Sequence, residues 1–129
     1  MNRKKLFAIT ALAVFVILGI AAGRPPKSEH KNLQVLPKDI SEQKLDSIMQ
    51  SYNKALGIGC GFCHSPSKSN ADSLDYSSDE NPMKEDARKM IRMTIEINKS
   101  NFYYDKDRRP EYLNVVNCRT CHRGEAYPE

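Results

Sequence analysis

Cys60-Gly61-Phe62-Cys63-His64 and Cys118-Arg119-Thr120-Cys121-His122 are two copies of one five-residue pattern, and together they hold all four cysteines of the 129-residue chain. Cys-x-x-Cys-His is the attachment signature of c-type haem. Two thiols three positions apart can each form a thioether to a vinyl group of the porphyrin, and the adjacent imidazole then binds iron along the ring axis. Two covalently bound haem c groups are therefore expected, held by Cys60 and Cys63 with His64, and by Cys118 and Cys121 with His122.

Other uses of these residues fit less well. A four-cysteine zinc site would have to span the 54 residues between Cys63 and Cys118 and would leave a histidine after each pair unexplained. Two disulfides suit an exported chain, but a three-residue spacing is awkward for a structural bridge. Gly57-x-Gly59-x-Gly61 follows a helical pattern rather than a strand, so it is no dinucleotide motif.

Helical patterns precede each motif. Ser41 can cap a helix to Leu56 with Glu42 in its first turn, and Leu45, Ile48, Met49, Tyr52, Ala55 and Leu56 recur at three- and four-residue steps until Gly57 stops it. A second helix starts at Asn81 with Pro82 in its first position and runs to about Lys99. A short third is expected near Pro110 to Val116. The stretch from Ser65 to Glu80 is rich in Ser, Asn and Asp and reads as a loop. No run alternates with period two, so the fold class is mainly α, a small multihaem cytochrome c domain of two helix-turn-CxxCH haem units with little or no sheet.

A sixth iron ligand would come from these helices, and the Met thioether is the usual partner of His. Met49 lies eight residues before Gly57, about 12 Å of helix, and suits the first haem. Met90 and Met93 are both available for the second, and periodicity leaves the choice open. Met83, in the first turn, reads as packing or a staple. Arg119 and Arg123 could pair with haem propionates or serve as surface charges. Tyr103 and Tyr104 read as ordinary packing, and His30 as solvated.

Asn2-Arg3-Lys4-Lys5 followed by the apolar run from Leu6 to Ile20 and the small residues Ala21-Ala22-Gly23 reads as an export signal. Eighteen residues from Leu6 to Gly23 also reach the lower limit of about 17–25 for a membrane-spanning helix. Cleavage and retention as an anchor both stay open, with no cysteine placed for a lipid anchor. Residues 1–23 are thus a signal peptide or N-terminal membrane anchor, 24–36 a flexible tether around Pro25-Pro26, and 37–129 the dihaem domain. Without Arg3, Lys4 and Lys5, the net charge of +4 falls to about +1. The basic balance is no argument for nucleic acid, and no basic stripe interleaved with aromatics is present. Roughly 90 residues without tryptophan make a marginal core, so the cofactors themselves are expected to fill it.

Leu56-Gly57-Ile58-Gly59 before the first motif, the string from Ala87 to Asn98 containing Met90, Met93, Thr94 and Ile97, and Arg123-Gly124 after the second motif resemble the haem-binding repeat of the cytochrome subunit of photosynthetic reaction centres. The likeness covers Ser41 to Gly124. It implies a helix, a turn and Cys-x-x-Cys-His for each haem, with Met49 and Met90 as axial ligands. That subunit carries two pairs of motifs and this chain one, and the histidine that follows Ile-Asn in the family's first pair is absent from 98–107. Photosynthesis as a role is not carried over; a respiratory chain would serve equally.

The sequence therefore points to an exported, periplasmic one-electron carrier with no enzymatic activity. It would exchange electrons with redox partner proteins, or with a membrane-bound electron-transfer complex, and have no nucleic-acid partner. The alternative is a haem enzyme, such as a dihaem peroxidase, with one open iron position.

Overall fold

The computed structural model describes residues 30–128 together with Arg3. The apolar run from Leu6 to Gly23 lies outside the described residues, and among those described no helix is long and apolar enough to cross a membrane. The fold is mainly helical, as expected.

Helix α1, Glu42–Leu56, opens with the Ser41 side chain accepting from Lys44 N and ends at Gly57, whose φ of 66° puts it in the left-handed region that glycine enters without a Cβ penalty. A 3₁₀ turn, Cys60–Phe62, follows at once. Helix α2, Pro82–Asn101, starts on the Asn81 cap with Pro82 in the first turn, and ends two residues beyond Lys99. Helix α3, Cys118–His122, carries the second motif. It begins with a reciprocal cap that sequence reasoning missed: Asn117 Oδ1 accepts from Arg119 N at 3.0 Å, and Thr120 Oγ1 accepts from Asn117 N at 3.1 Å.

Two expectations need correction. The stretch from Pro110 to Val116 forms only the 3₁₀ turn Pro110–Tyr112, after which Leu113 is extended. The Asn98 side chain takes the backbone groups of Leu113 and Val116 that a longer helix would need. The loop after the first motif is also closed by a small antiparallel ladder, β1 (Ser65–Pro66) with β2 (Leu74–Asp75), in register Ser65 to Asp75 and Pro66 to Leu74. Ser67 N donates to Ser73 O at 2.8 Å across its turn. Two residues per strand are too few to leave an alternating pattern.

Among the described residues the buried apolar side chains are Leu36, Ile40 and Ala55, beside the buried polar Lys84, Arg88 and Asn98. Lys84 Nζ donates to the carbonyls of Tyr76 and Ser78 at 3.0 and 2.6 Å, and Arg88 to Asn32 O and Asp79 Oδ1 at 3.3 and 2.9 Å. Packed contacts therefore begin inside the stretch read as a tether: Leu36 is buried, and His30 Nε2 lies 2.9 Å from Ile40 O rather than in solvent.

Candidate haem sites

The first motif is one tight turn. Gly57 reverses the chain, Gly59 is extended, and the carbonyl of Cys60 accepts from Cys63 N and His64 N at 3.3 and 3.1 Å. Both thiols and the imidazole are thereby carried on a single turn, which is what two thioethers and an axial nitrogen on one ring require. Asn53, one turn before the end of α1, donates from Nδ2 to Cys60 Sγ at 3.4 Å, and Asn81 Nδ2 ties Phe62 O to the start of α2 at 3.0 Å. Burial pushes the Cys63 thiol up. The His64 imidazole is held below its usual range, first by burial and then by the positive Lys84 and Arg88. It is thus neutral, the form that binds a metal. Its ring meets Tyr76 edge-on at 5.0 Å, and its Nδ1 is buried with no partner among the described residues.

The second motif is a full helical turn. His122 Nδ1 lies 3.0 Å from Glu125 O. A carbonyl only accepts, so Nδ1 carries the proton and the lone pair is on Nε2. That is the tautomer an iron ligand needs. Between this turn and α1 lies a groove of about 460 Å³ lined by Tyr52, Ala55, Asn117, Cys118 and Arg119 among others. Burial, helped by the nearby Cys118, raises the Tyr52 hydroxyl well above the ordinary tyrosine range. Cys118 is itself pushed up by burial.

The two turns touch through their flanks. Gly124 N donates to Ala55 O at 2.9 Å, the Tyr127 ring packs edge-on to Phe62 at 6.3 Å, and Tyr127 Oη lies 3.7 Å from Met83 Sδ. The segment after the second motif thus reaches back to the first. Asn53, Asn98 and Asn117 all serve these turns. The available signal for Asn53 and Asn98 was a residue type that helix interiors disfavour.

The methionines differ in their helical neighbours. Met49 is half-buried one turn before Asn53, on the edge of α1 that holds Cys60. At about 100° per residue, α2 has a packed stripe of Lys84, Arg88, Ile91, Ile95 and Asn98. Beside it runs a second stripe of Met83, Ala87, Met90, Thr94 and Ile97, of which only Met90 is classed as exposed. Met93 falls instead among the exposed Asp86, Lys89, Glu96 and Ser100. Both methionines are accessible, at 44% and 46%.

These features suit a large apolar group better than the alternatives. All four cysteines are unpaired, and among the described residues no cluster of three or more His, Cys, Asp or Glu is arranged to hold a bare metal ion. The thin interior and the half-open Met stripe offer apolar surface that the chain alone leaves uncovered. Tyr103 is half-buried under Lys106, and Tyr104 is exposed. Among the described residues Arg119 and Arg123 make no ion pair.

A family model described as the photosynthetic reaction centre cytochrome C subunit matches residues 14–129. Cytochrome c-554 of Chloroflexus aurantiacus is 32% identical over 110 residues, covering 82% of this chain and 24% of its own length. The photosynthetic reaction center cytochrome c subunit of Roseobacter denitrificans is 33% identical over 104 residues, covering 79% and 26%. The chain thus spans about a quarter of the length of the curated relatives it matches. No solved structure matches it.

Proposed function

The chain belongs to the photosynthetic reaction centre cytochrome c subunit family, and on that premise we propose that it is an exported dihaem one-electron carrier. Cys60 and Cys63 with His64 would hold one haem, and Cys118 and Cys121 with His122 the other, while Met49 and Met90 would each supply a further iron ligand. A bound haem supplies a ferric–ferrous couple, which transfers one electron without bond making at the metal.

The chain's own residues do the rest. Asn53 and Asn81 hold the first turn to both long helices, while Asn117 and Thr120 shape the second. Glu125 O keeps His122 in the coordinating tautomer. Met ligation and an apolar surround favour the reduced state and a higher potential. Arg119 and Arg123, with no carboxylate partner among the described residues, are free to pair with propionates. The observation that carries the reading is His122, whose Nδ1 meets a carbonyl, so that in the neutral ring Nε2 carries the lone pair a metal would take.

In the same reading residues 1–23 direct export as a signal or anchor, 24–36 lead into the domain, packing on it from about residue 30, and 37–129 work on the periplasmic side of the membrane. The partners are redox proteins or a membrane electron-transfer complex, and the protein is no enzyme. Expression beside a haem-attachment system tests this directly. Intact mass should rise by two haems, and Met49→Ala and Met90→Ala should each remove the Met–iron charge-transfer absorption of one haem. A single haem, or both absorptions kept in either variant, overturns the assignment.

A further inference from the structure

Asn98 is the least exposed of the buried side chains, at 1%, and it lies near the C-terminal end of α2. Its amide is fully used. Nδ2 donates to Leu113 O at 3.2 Å and Val116 O at 2.7 Å, while Oδ1 accepts from Val116 N at 2.8 Å. Both backbone groups of Val116 are therefore read by one side chain, as a neighbouring strand would read them. Val116 is followed by Asn117, the cap of the turn that carries Cys118, Cys121 and His122.

We propose that Asn98 is a positioning residue for the second haem site: it locks the segment leading into the Cys118 motif in register with the helix that bears Met90. The proposal rests on the ligand assignment above. Eight residues of helix, about 12 Å, separate Met90 from Asn98, so the ligand and the clamp belong to one rigid rod. The motif's thioethers and His122 come from the segment being clamped. Only a short amide serves this geometry, because the site needs two donors and an acceptor at the reach of a single methylene. Aspartate keeps the shape and the acceptor but sets a carboxylate against two carbonyl oxygens. Alanine leaves three part-buried backbone groups without this partner, and glutamine is one methylene too long.

A generally stabilising contact would weaken both haem sites together, whereas a positioning residue acts on one. Asn98→Asp is therefore built into holoprotein carrying Met49→Ala, where the remaining Met–iron absorption reports the second site, and into holoprotein carrying Met90→Ala, where it reports the first. The expected result is an absorption reduced at least about tenfold in the first background, the equivalent of one lost buried hydrogen bond, and unchanged in the second. Equal weakening in both, or no weakening in either, overturns the proposal. If Met90→Ala alone keeps both absorptions, the ligand assignment fails, and the clamp is then judged separately. In the unaltered holoprotein the Val116 amide should exchange with solvent at least about a hundredfold more slowly than exposed loop amides. Exchange at loop rates overturns the clamp whatever the ligand.

Discussion

The backbone carbonyl of Gly124 occupies the place where a side chain on Gly57 would stand, so the stop of the helix before the first haem turn and the exit from the second are in direct backbone contact. Gly124 N, donating to Ala55 O at 2.9 Å, makes the approach two-sided. Gly57 thus has two duties. It must adopt a φ of 66°, and it must present no Cβ.

Gly57→Ala should for that reason be costly. The left-handed conformation costs a non-glycine residue about 1–2 kcal/mol, and relieving a backbone clash adds roughly 1–3 kcal/mol. A loss of about 2–5 kcal/mol is expected in denaturant unfolding of the holoprotein. Gly61→Ala is the control, since nothing lies within 4 Å of its Cβ position and a change within about 0.5 kcal/mol is expected there. Equal midpoints for the two variants would show that the units do not meet at Gly57.

Elements whose signals are local were legible in the sequence. Ser41, Gly57, Asn81 and Pro82 act through neighbours a few residues away, and α1 and α2 begin and end near where those residues put them. The turn at Pro110 was misjudged because its fate is decided by Asn98, 15 to 18 residues back in the chain. The same reason hid the contact between Gly57 and Gly124. The attachment residues were readable because the chemistry needs them adjacent. Their supports were harder to read: Asn98 and Tyr127 act across the fold, and Asn53 reaches Cys60 only once Gly57 has reversed the chain.

Met90 and Met93 are helical neighbours of similar exposure, at 44% and 46%. Met90 sits within the apolar stripe of Met83, Ala87, Thr94 and Ile97, while Met93 lies at the edge of that stripe, with Lys89 and Glu96 on its other side. Met93→Leu should leave both Met–iron absorptions intact and shift stability by no more than about 0.5 kcal/mol. Loss of one absorption would move the second ligand from Met90 to Met93.

Asp79 gives the domain an acid-sensitive point. Hydrogen bonds from Asn32, Arg88 and Lys84, in that order, hold its carboxyl far below the usual carboxylate range. With the folded pKa below the unfolded value of about 3.9, the folded state binds fewer protons, so stability rises with pH through this window. The contribution is present above about pH 4 and is lost as pH falls further. Asp75 and Glu85 are lowered in the same sense by their own hydrogen bonds. In Asp79→Asn the dependence of the unfolding midpoint on pH between about 5 and 2 should be shallower than in the unaltered protein but not flat. An unchanged slope would mean that Asp79 titrates alike in both states.

Carbon monoxide distinguishes a closed carrier from a haem enzyme, because it binds ferrous haem only where an axial position is open. With Met49 and Met90 both coordinated, the reduced protein at neutral pH should take up far less than one equivalent. Met49→Ala and Met90→Ala should each bind about one, since each removes one thioether and leaves the opposite histidine in place. In Met90→Ala the remaining ligand, His122, keeps its tautomer through Glu125 O, so that site should remain five-coordinate rather than lose its haem ligand. Stoichiometric uptake by the unaltered, fully folded protein would replace the carrier with an enzyme that keeps one iron open to substrate.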